Sequence, residues 1–160
     1  DQKNIELFAR HKIYTEAEME ARYETIMEEY VKTLHIEALT MIGMVRQEVL
    51  PAVSRYVQGL AEAVNAKRQA VSSLPCRAEA ALIEKLSGQM DKAFELVEYL
   101  DEKLGNPRSR SVNILSAATY YRDVLVPAME ELRGAVDAME VHVSAERWPY
   151  PTYADLMFRV

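Results

Sequence analysis

The sequence predicts an all-α protein: an antiparallel bundle of three long helices, two of them with an internal proline, plus a short N-terminal helix and an aromatic, proline-rich C-terminal tail. Only five glycines and six prolines occur in 160 residues, and such a composition favours helix. Apolar residues recur every three or four positions over long stretches, which is helical periodicity. Tight turns between these stretches favour one bundle. We therefore expect one domain over residues 1–160, with residues 147–160 as a docking tail.

The first half of the chain predicts a short helix and then a very long one. The short helix covers Asn4 to His11, and Thr15 with Glu18 has the spacing of a capping box, which starts a second helix. Pro51 interrupts the second helix without shifting its apolar phase, so we expect one bent helix or two collinear pieces. The apolar stripe of this helix consists of Met19, Tyr23, Met27, Tyr30, Leu34, Ala38, Met41, Val45, Val49, Val53, Tyr56, Leu60 and Val64.

The second half predicts two further helices. Residues 65–75 hold the first turn, with Pro75 suited to the first helical position. The next helix runs from Arg77 to Leu104 and ends at a left-handed Gly105 before Asn106 and Pro107. Its buried side is predicted to contain Leu82, Leu86, Met90, Phe94, Val97 and Leu104. The last long helix begins near Ser109 or Ser111, and its stripe runs from Val112 through Leu115 to Val143.

Two internal features have more than one reading. Residues 46–52 and 122–128 both read Arg, four residues, then Pro-Ala. Either an ancient duplication gives two matching kinks that nest together, or the match is a coincidence in a helix-rich sequence. Gly43, Gly59 and Gly134 lie inside helical stripes, where close helix approach or a local bend is the usual reason.

The tail is the candidate interaction site. Pro149 and Pro151 hold the residues before them in extended geometry, and Thr152 with Asp155 can cap a last helical turn. So many aromatic and apolar side chains together are typical of an interface. The candidate interaction residues are Trp148, Pro149, Tyr150, Pro151, Tyr153, Leu156, Met157 and Phe158. The sequence leaves open whether the tail docks on its own bundle or on a neighbouring molecule.

Charge and composition exclude several classes of function. The net charge of −6 argues against nucleic-acid and anionic-membrane surfaces. The longest apolar run, Ala38 to Val45, is far shorter than the roughly 20 residues that span a bilayer. We also expect no signal peptide, and the missing initial methionine indicates a piece of a longer chain. A single cysteine, Cys76, is compatible with a reducing compartment.

No catalytic, cofactor-binding or metal-binding residues are predicted. A di-iron bundle needs a glutamate three residues before a histidine on two helices, but the residues three before His11, His35 and His142 are Phe8, Lys32 and Met139. Glu140 and His142 alone are a weak metal site. Cys76 beside Arg77 has no histidine placed near it by any motif, so an inert thiol is the favoured reading.

Two blocks of residues resemble the C-terminal region of type III glutamine synthetases, the long bacterial class. The first block comprises Asn4–Phe8, Thr15, Arg22–Glu24, His35–Ile42 and Val49–Ala52. The second comprises Tyr121–Asp123, Pro127–Met129, Leu132–Arg133, Asp137, Trp148–Tyr153 and Asp155–Phe158. The aromatic-proline terminus is the most specific part of the resemblance.

This resemblance implies a parent enzyme that condenses glutamate with ammonia at the expense of ATP, with Mg or Mn, in cytoplasmic double-ring homo-oligomers. The family's ATP, metal and glutamate residues lie upstream, so the resemblance implies that this segment is not itself an enzyme. Its implied partners are the catalytic core of the same chain and neighbouring subunits, and its implied role is assembly or stability. The alternative is a regulatory binding module for a small metabolite or a partner helix. The absence of catalytic motifs disfavours a third hypothesis, a free-standing enzyme.

Overall fold

The computed structural model describes residues 1–111, 113–151 and 153–158 and is all-α, with no strand in these ranges. Its α-helices are α1 (Gln2–Arg10), α2 (Glu16–Met44), α3 (Leu50–Ala70), α4 (Arg77–Leu104), α5 (Ile114–Tyr120), α6 (Val126–Glu140) and α7 (Tyr153–Phe158). Short π-helical turns join α2 to α3 and α5 to α6, so two of the three long helical elements are joined helices. The predicted fold class is therefore confirmed. Within the described ranges, no helix is long and apolar enough to cross a membrane.

Both internal prolines follow a π-helical turn, and neither breaks its helix. Val45–Val49 precedes Pro51, and Tyr121–Leu125 precedes Pro127. In each turn a backbone N–H bonds five residues back, from Leu50 to Val45 and from Val126 to Tyr121. This wider turn accommodates a proline inside a helix, where the ring would otherwise clash with the preceding turn. Helical backbone therefore continues from Glu16 to Ala70 and from Ile114 to Glu140.

The core of the bundle forms two clusters along α4. In the first cluster Val45 packs with Val97, Leu100, Tyr121 and Leu125. In the second, Val53 packs with Leu86, Ala93, Met139 and Val143. Higher residue numbers in α2 and α3 thus meet lower numbers in α4 and higher numbers in α6. Helix α4 is therefore antiparallel to the two joined helices, as predicted, and both π-helical turns contribute to the core against it.

Two polar contacts tie the joined helices to their neighbours. His35 Nδ1 lies 2.9 Å from the hydroxyl of Tyr121, a fully buried residue of the second π-helical turn. Arg46, in the first π-helical turn, contacts Glu98 at 2.6 Å and Asp101 at 2.7 Å, both on α4. These hydrogen bonds raise the pKa of Arg46. Its counterpart in the repeated motif, Arg122, pairs instead with the adjacent Asp123.

The starts of α2 and α4 match the sequence prediction, and the turns do not. Thr15 and Glu18 form both bonds of the capping box. Helix α4 has the predicted bounds, but Gly105 is not left-handed, since its φ is −72°. The chain leaves the helix at Asn106, which is extended because a proline follows it.

Helix α5 begins later than predicted. Pro107–Arg110 form a short 3₁₀ turn, and the side chain of Asn113 accepts a hydrogen bond from the N–H of Ser116 to cap α5. Before α4 the left-handed residue is Cys76, with φ of 43°, so Pro75 does not occupy the first helical position. Val112, predicted at the start of the last stripe, lies outside the described residues.

Some predicted core positions face solvent. Phe94 and Leu115 are exposed because their helices are covered on one side only. Close helix approach, one of the two explanations expected for the helical glycines, is also contradicted. A Cβ at Gly43, Gly59 or Gly134 would meet nothing within 4 Å, so no close helix approach requires these glycines.

Candidate docking site

The tail divides into a buried part and an exposed part. Trp148 is 8% exposed and packs in the second core cluster, with half-buried Tyr150 packed beside it. The turn before it fixes its position, since the N–H of Trp148 bonds to the carbonyl of Ser144 at 3.0 Å. Phe158 is 78% exposed, and Leu156 and Met157 are exposed as well. The first part of the tail therefore packs on its own bundle, whereas the side chains at the end of the tail remain exposed.

The remaining predicted interaction residues lie between these extremes. Pro149 is half-buried and Pro151 is exposed. The side chain of Tyr153 lies outside the described residues, as does Thr152, the predicted cap of α7. Helix α7 itself is present at Tyr153–Phe158.

An apolar groove lies beside the tail, between α2 and α6. Its volume is about 740 Å³. From α2 and the first π-helical turn it is lined by Leu34, Ile36, Glu37, Thr40, Met41, Met44, Val45 and Val49; from α6 by Val126, Met129, Glu130, Leu132, Arg133, Val136, Asp137 and Glu140; and from the tail by Trp148, Tyr150, Pro151 and Leu156. The volume is that of a small-molecule site or of part of a helix-binding groove. The sequence prediction did not identify this groove. Ile36 and Met44, apolar but off the α2 stripe, were the available signal.

The groove has an acidic rim. Glu37, Glu130, Asp137 and Glu140 line it against one cation, Arg133, which pairs with Asp137 at 3.7 Å. An excess of carboxylates beside an apolar floor favours an occupant with basic side chains flanking an apolar face. It disfavours anionic ligands.

Tyr150 packs beside the groove with its hydroxyl group buried. Its hydroxyl is enclosed and has no hydrogen bond of good geometry to the described residues. Burial, and then the nearby Glu48 carboxylate, raise the pKa of Tyr150 to about 12. A neutral phenol is therefore strongly favoured in the folded state.

The remaining candidate groups do not converge on a reactive centre. Within residues 1–111, 113–151 and 153–158, no three His, Cys, Asp or Glu side chains are grouped to hold a metal. Cys76 is buried at the start of α4.

Fold and site together define a helical bundle with an apolar, acid-rimmed groove beside its C-terminal tail. Residues 1–68 match the family described as glutamine synthetase C-terminal domain. The chain is 31% identical over 159 residues to a glutamine synthetase of Butyrivibrio fibrisolvens and 28% identical over 160 residues to a type-3 glutamine synthetase of Dictyostelium discoideum. A glutamine synthetase of Bacteroides fragilis is 24% identical over 164 residues.

Each of these comparisons covers at least 98% of this chain but 22% of the relative, so the chain spans about a fifth of the length of the curated relatives it matches. Residues 1–68 thus match the glutamine synthetase C-terminal domain family, and the homologues of the whole chain include a type-3 glutamine synthetase. This confirms the resemblance inferred from the two sequence blocks. The family match ends before the second block. The comparisons with the relatives, which cover at least 98% of this chain, include it.

Proposed function

We propose that this domain is a non-catalytic module of a type-3 glutamine synthetase that supports assembly or stability of the oligomeric enzyme. The parent enzyme would join glutamate and ammonia at the expense of ATP, with Mg or Mn bound in domains outside this one, in the cytoplasm. The observation that carries the proposal is the set of three exposed apolar side chains at the end of α7, beside the groove, in a domain that spans about a fifth of its relatives.

Leu156, Met157 and Phe158 are the proposed contact residues of the tail. Three large apolar side chains exposed together on a six-residue helix form a patch of the kind that marks an interface. Trp148, Pro149 and Tyr150 take a different role in this proposal, because they pack on their own bundle and hold α7 in place. The proposed partner surface belongs to the catalytic core of the same chain or of a neighbouring subunit.

The test uses the full-length enzyme with the double substitution Leu156→Glu and Phe158→Glu. Both side chains are exposed, so the bundle should fold normally while the interface gains two unpaired charges. We expect the oligomer to dissociate or lose thermal stability, as measured by size-exclusion chromatography with light scattering. Val141→Glu is the matched control, because Val141 is 76% exposed and lies outside α7. An assembly as stable as the wild type, with unchanged activity, would refute the role of the tail.

The groove supports a second candidate function, a regulatory site for a small metabolite or a partner helix. A thermal-shift screen with glutamine and Mg²⁺, and with ATP as an anion that the acidic rim disfavours, tests it, because selective binding to the native state raises its stability. A ligand at 100 times its Kd adds about 2.7 kcal/mol, which is roughly 5–10 °C for a domain of this size. Ile36→Glu, at an exposed position that lines the groove, should abolish the shift. A flat screen would remove these ligands from consideration.

A further inference from the structure

A second apolar surface lies at the other end of the sequence, outside the core of the bundle. We define the N-terminal arm as residues 1–30, which comprise α1 and the first turns of α2. The core clusters begin at Val31, and α1 has no buried residue. The buried residues of α2 are Ala38 and Ile42, both beyond the arm. The arm therefore extends past the part of α2 that the other helices cover.

The arm presents several exposed apolar side chains, three of them on one face of α2. Tyr23, Ile26 and Tyr30 are spaced by three and four residues on α2, which places them on one helical face. All three are exposed, Ile26 by 60%. Leu7 and Ile13, from α1 and the link that follows it, are exposed as well.

The arm is an ordered element. The Phe8 and Tyr14 rings lie 5.8 Å apart, and the guanidinium of Arg22 lies 4.4 Å from the centre of the Tyr14 ring. The capping box fixes the start of α2 beside these rings. A helix of nine residues such as α1 is nevertheless marginal in water when none of its residues is fully buried. A partner surface would supply the burial that α1 lacks.

The charge of the arm and the greater length of the relatives indicate the kind of partner. Between Glu16 and Tyr30 there are six glutamates and one arginine, so a complementary surface combines apolar side chains with Lys or Arg. The family match includes the whole arm and stops before the tail. The relatives are several times longer than this chain, so most of a glutamine synthetase lies outside this domain.

We propose that the N-terminal arm docks in cis on the part of the same glutamine synthetase polypeptide outside this domain, against an apolar surface flanked by basic side chains. This inference rests on the proposed function and adds to it a second contact, separate from α7. In this proposal the arm contacts its own subunit and not a neighbouring one.

Cross-linking of the full-length enzyme tests the contact directly. Tyr23→Cys provides a thiol within the exposed stripe, and a short thiol-to-amine reagent joins it to lysines of the docked surface. We expect cross-links to lysines outside this domain in a product with the mass of one subunit. A product with the mass of two subunits, or cross-links confined to this domain, would overturn docking in cis. The first of these outcomes would identify a neighbouring copy as the occupant.

Charge insertion provides an independent test in the same enzyme. Ile26→Glu should expose the arm, so that trypsin cleaves at Lys12 about tenfold faster than in the wild type. Leu39→Glu is the matched control, because Leu39 is half exposed on the same helix but lies beyond the arm. Equal cleavage rates in Ile26→Glu and the wild type would overturn the proposal.

The two proposals fail separately. If the α7 double variant disrupts assembly and Ile26→Glu leaves cleavage unchanged, the arm contact is wrong and the tail contact stands. The reverse result would leave the arm contact in place and remove the tail from the interface.

Discussion

Removal of the Trp148 side chain tests how the tail is anchored. Trp148 is 8% exposed and packs in the core cluster with Val49, Leu86 and Met139. An indole buries roughly 200 Å², and at about 25 cal/mol per Å² this gives a loss of about 4 kcal/mol after allowance for the remaining methyl group. Trp→Ala substitutions in protein cores cost about 3–5 kcal/mol, in agreement with this figure. We therefore expect Trp148→Ala to lower the melting temperature of the domain by roughly 8–16 °C.

Urea denaturation followed by far-UV circular dichroism measures this loss. Phe158→Ala is the control, since Phe158 is 78% exposed, and it should change the free energy of unfolding by less than about 0.5 kcal/mol. Trp148 is also the only tryptophan. Its emission in the wild-type domain should therefore be blue-shifted in the folded state and move to longer wavelength in the same transition. If both alanine variants unfold at the same urea concentration, the tail does not anchor on its own bundle.

Three further predictions concern helix propensity, pH and the repeated arginines. Gly59→Ala and Gly134→Ala should each stabilise the domain by about 0.5–1 kcal/mol, because each lies in a helix with open space for a Cβ; a melting temperature that falls would contradict the open space. For Tyr150 the folded pKa of about 12 lies above the unfolded value of 10, so its contribution is complete below pH 10 and is lost as the pH rises towards 12. Wild-type stability should therefore fall more steeply than that of Tyr150→Phe in this window, and parallel curves would contradict the raised pKa. Arg46→Ala should cost about 1 kcal/mol in urea denaturation and Arg122→Ala nearly nothing, because Arg46 bridges to α4 whereas Arg122 pairs with its neighbour; equal losses would show that the bridge does not stabilise the bundle.

Local chemistry made the starts of α2 and α4 predictable. The capping box at Thr15 is complete within four residues, so no distant contact decides it. The bounds of α4 follow from its apolar stripe and from Pro107, which restricts Asn106 to extended geometry. Gly105 was mispredicted because a glycine permits a left-handed cap without requiring one.

The division of the apolar residues between core and surface was not predictable in the same way. The α2 stripe is continuous from Met19, yet only its later part is covered by other helices. Periodicity identifies the apolar face of a helix, whereas the length of its neighbours determines how much of that face is buried. The same limit applies to the tail. Trp148 and Phe158 are both aromatic residues in an apolar stretch of sequence, yet Trp148 is buried and Phe158 is exposed.

The repeated motif shows that a local pattern can have a common structural outcome and different contacts. Both Arg-to-Pro-Ala segments form a π-helical turn before the proline. A proline inside a helix needs such a turn whatever the origin of the motif, so the turn alone does not decide between duplication and coincidence. Arg46 and Arg122 then make unlike ion pairs because only the first faces α4.

The two proposed contacts have a joint consequence that neither has alone. The arm and α7 are both small surfaces, and each would bind weakly as a separate peptide. Because one bundle carries both, formation of either contact holds the other surface near its partner and raises its effective concentration, which can reach millimolar values. Ile26→Glu or the α7 double variant alone should therefore weaken docking, and the combined variant should release the domain from the enzyme body. The combined loss in melting temperature of the full-length enzyme should differ from the sum of the separate losses, because the contacts are coupled. Strict additivity would show that the arm and α7 act independently, and would remove the basis for treating the domain as a two-point clamp.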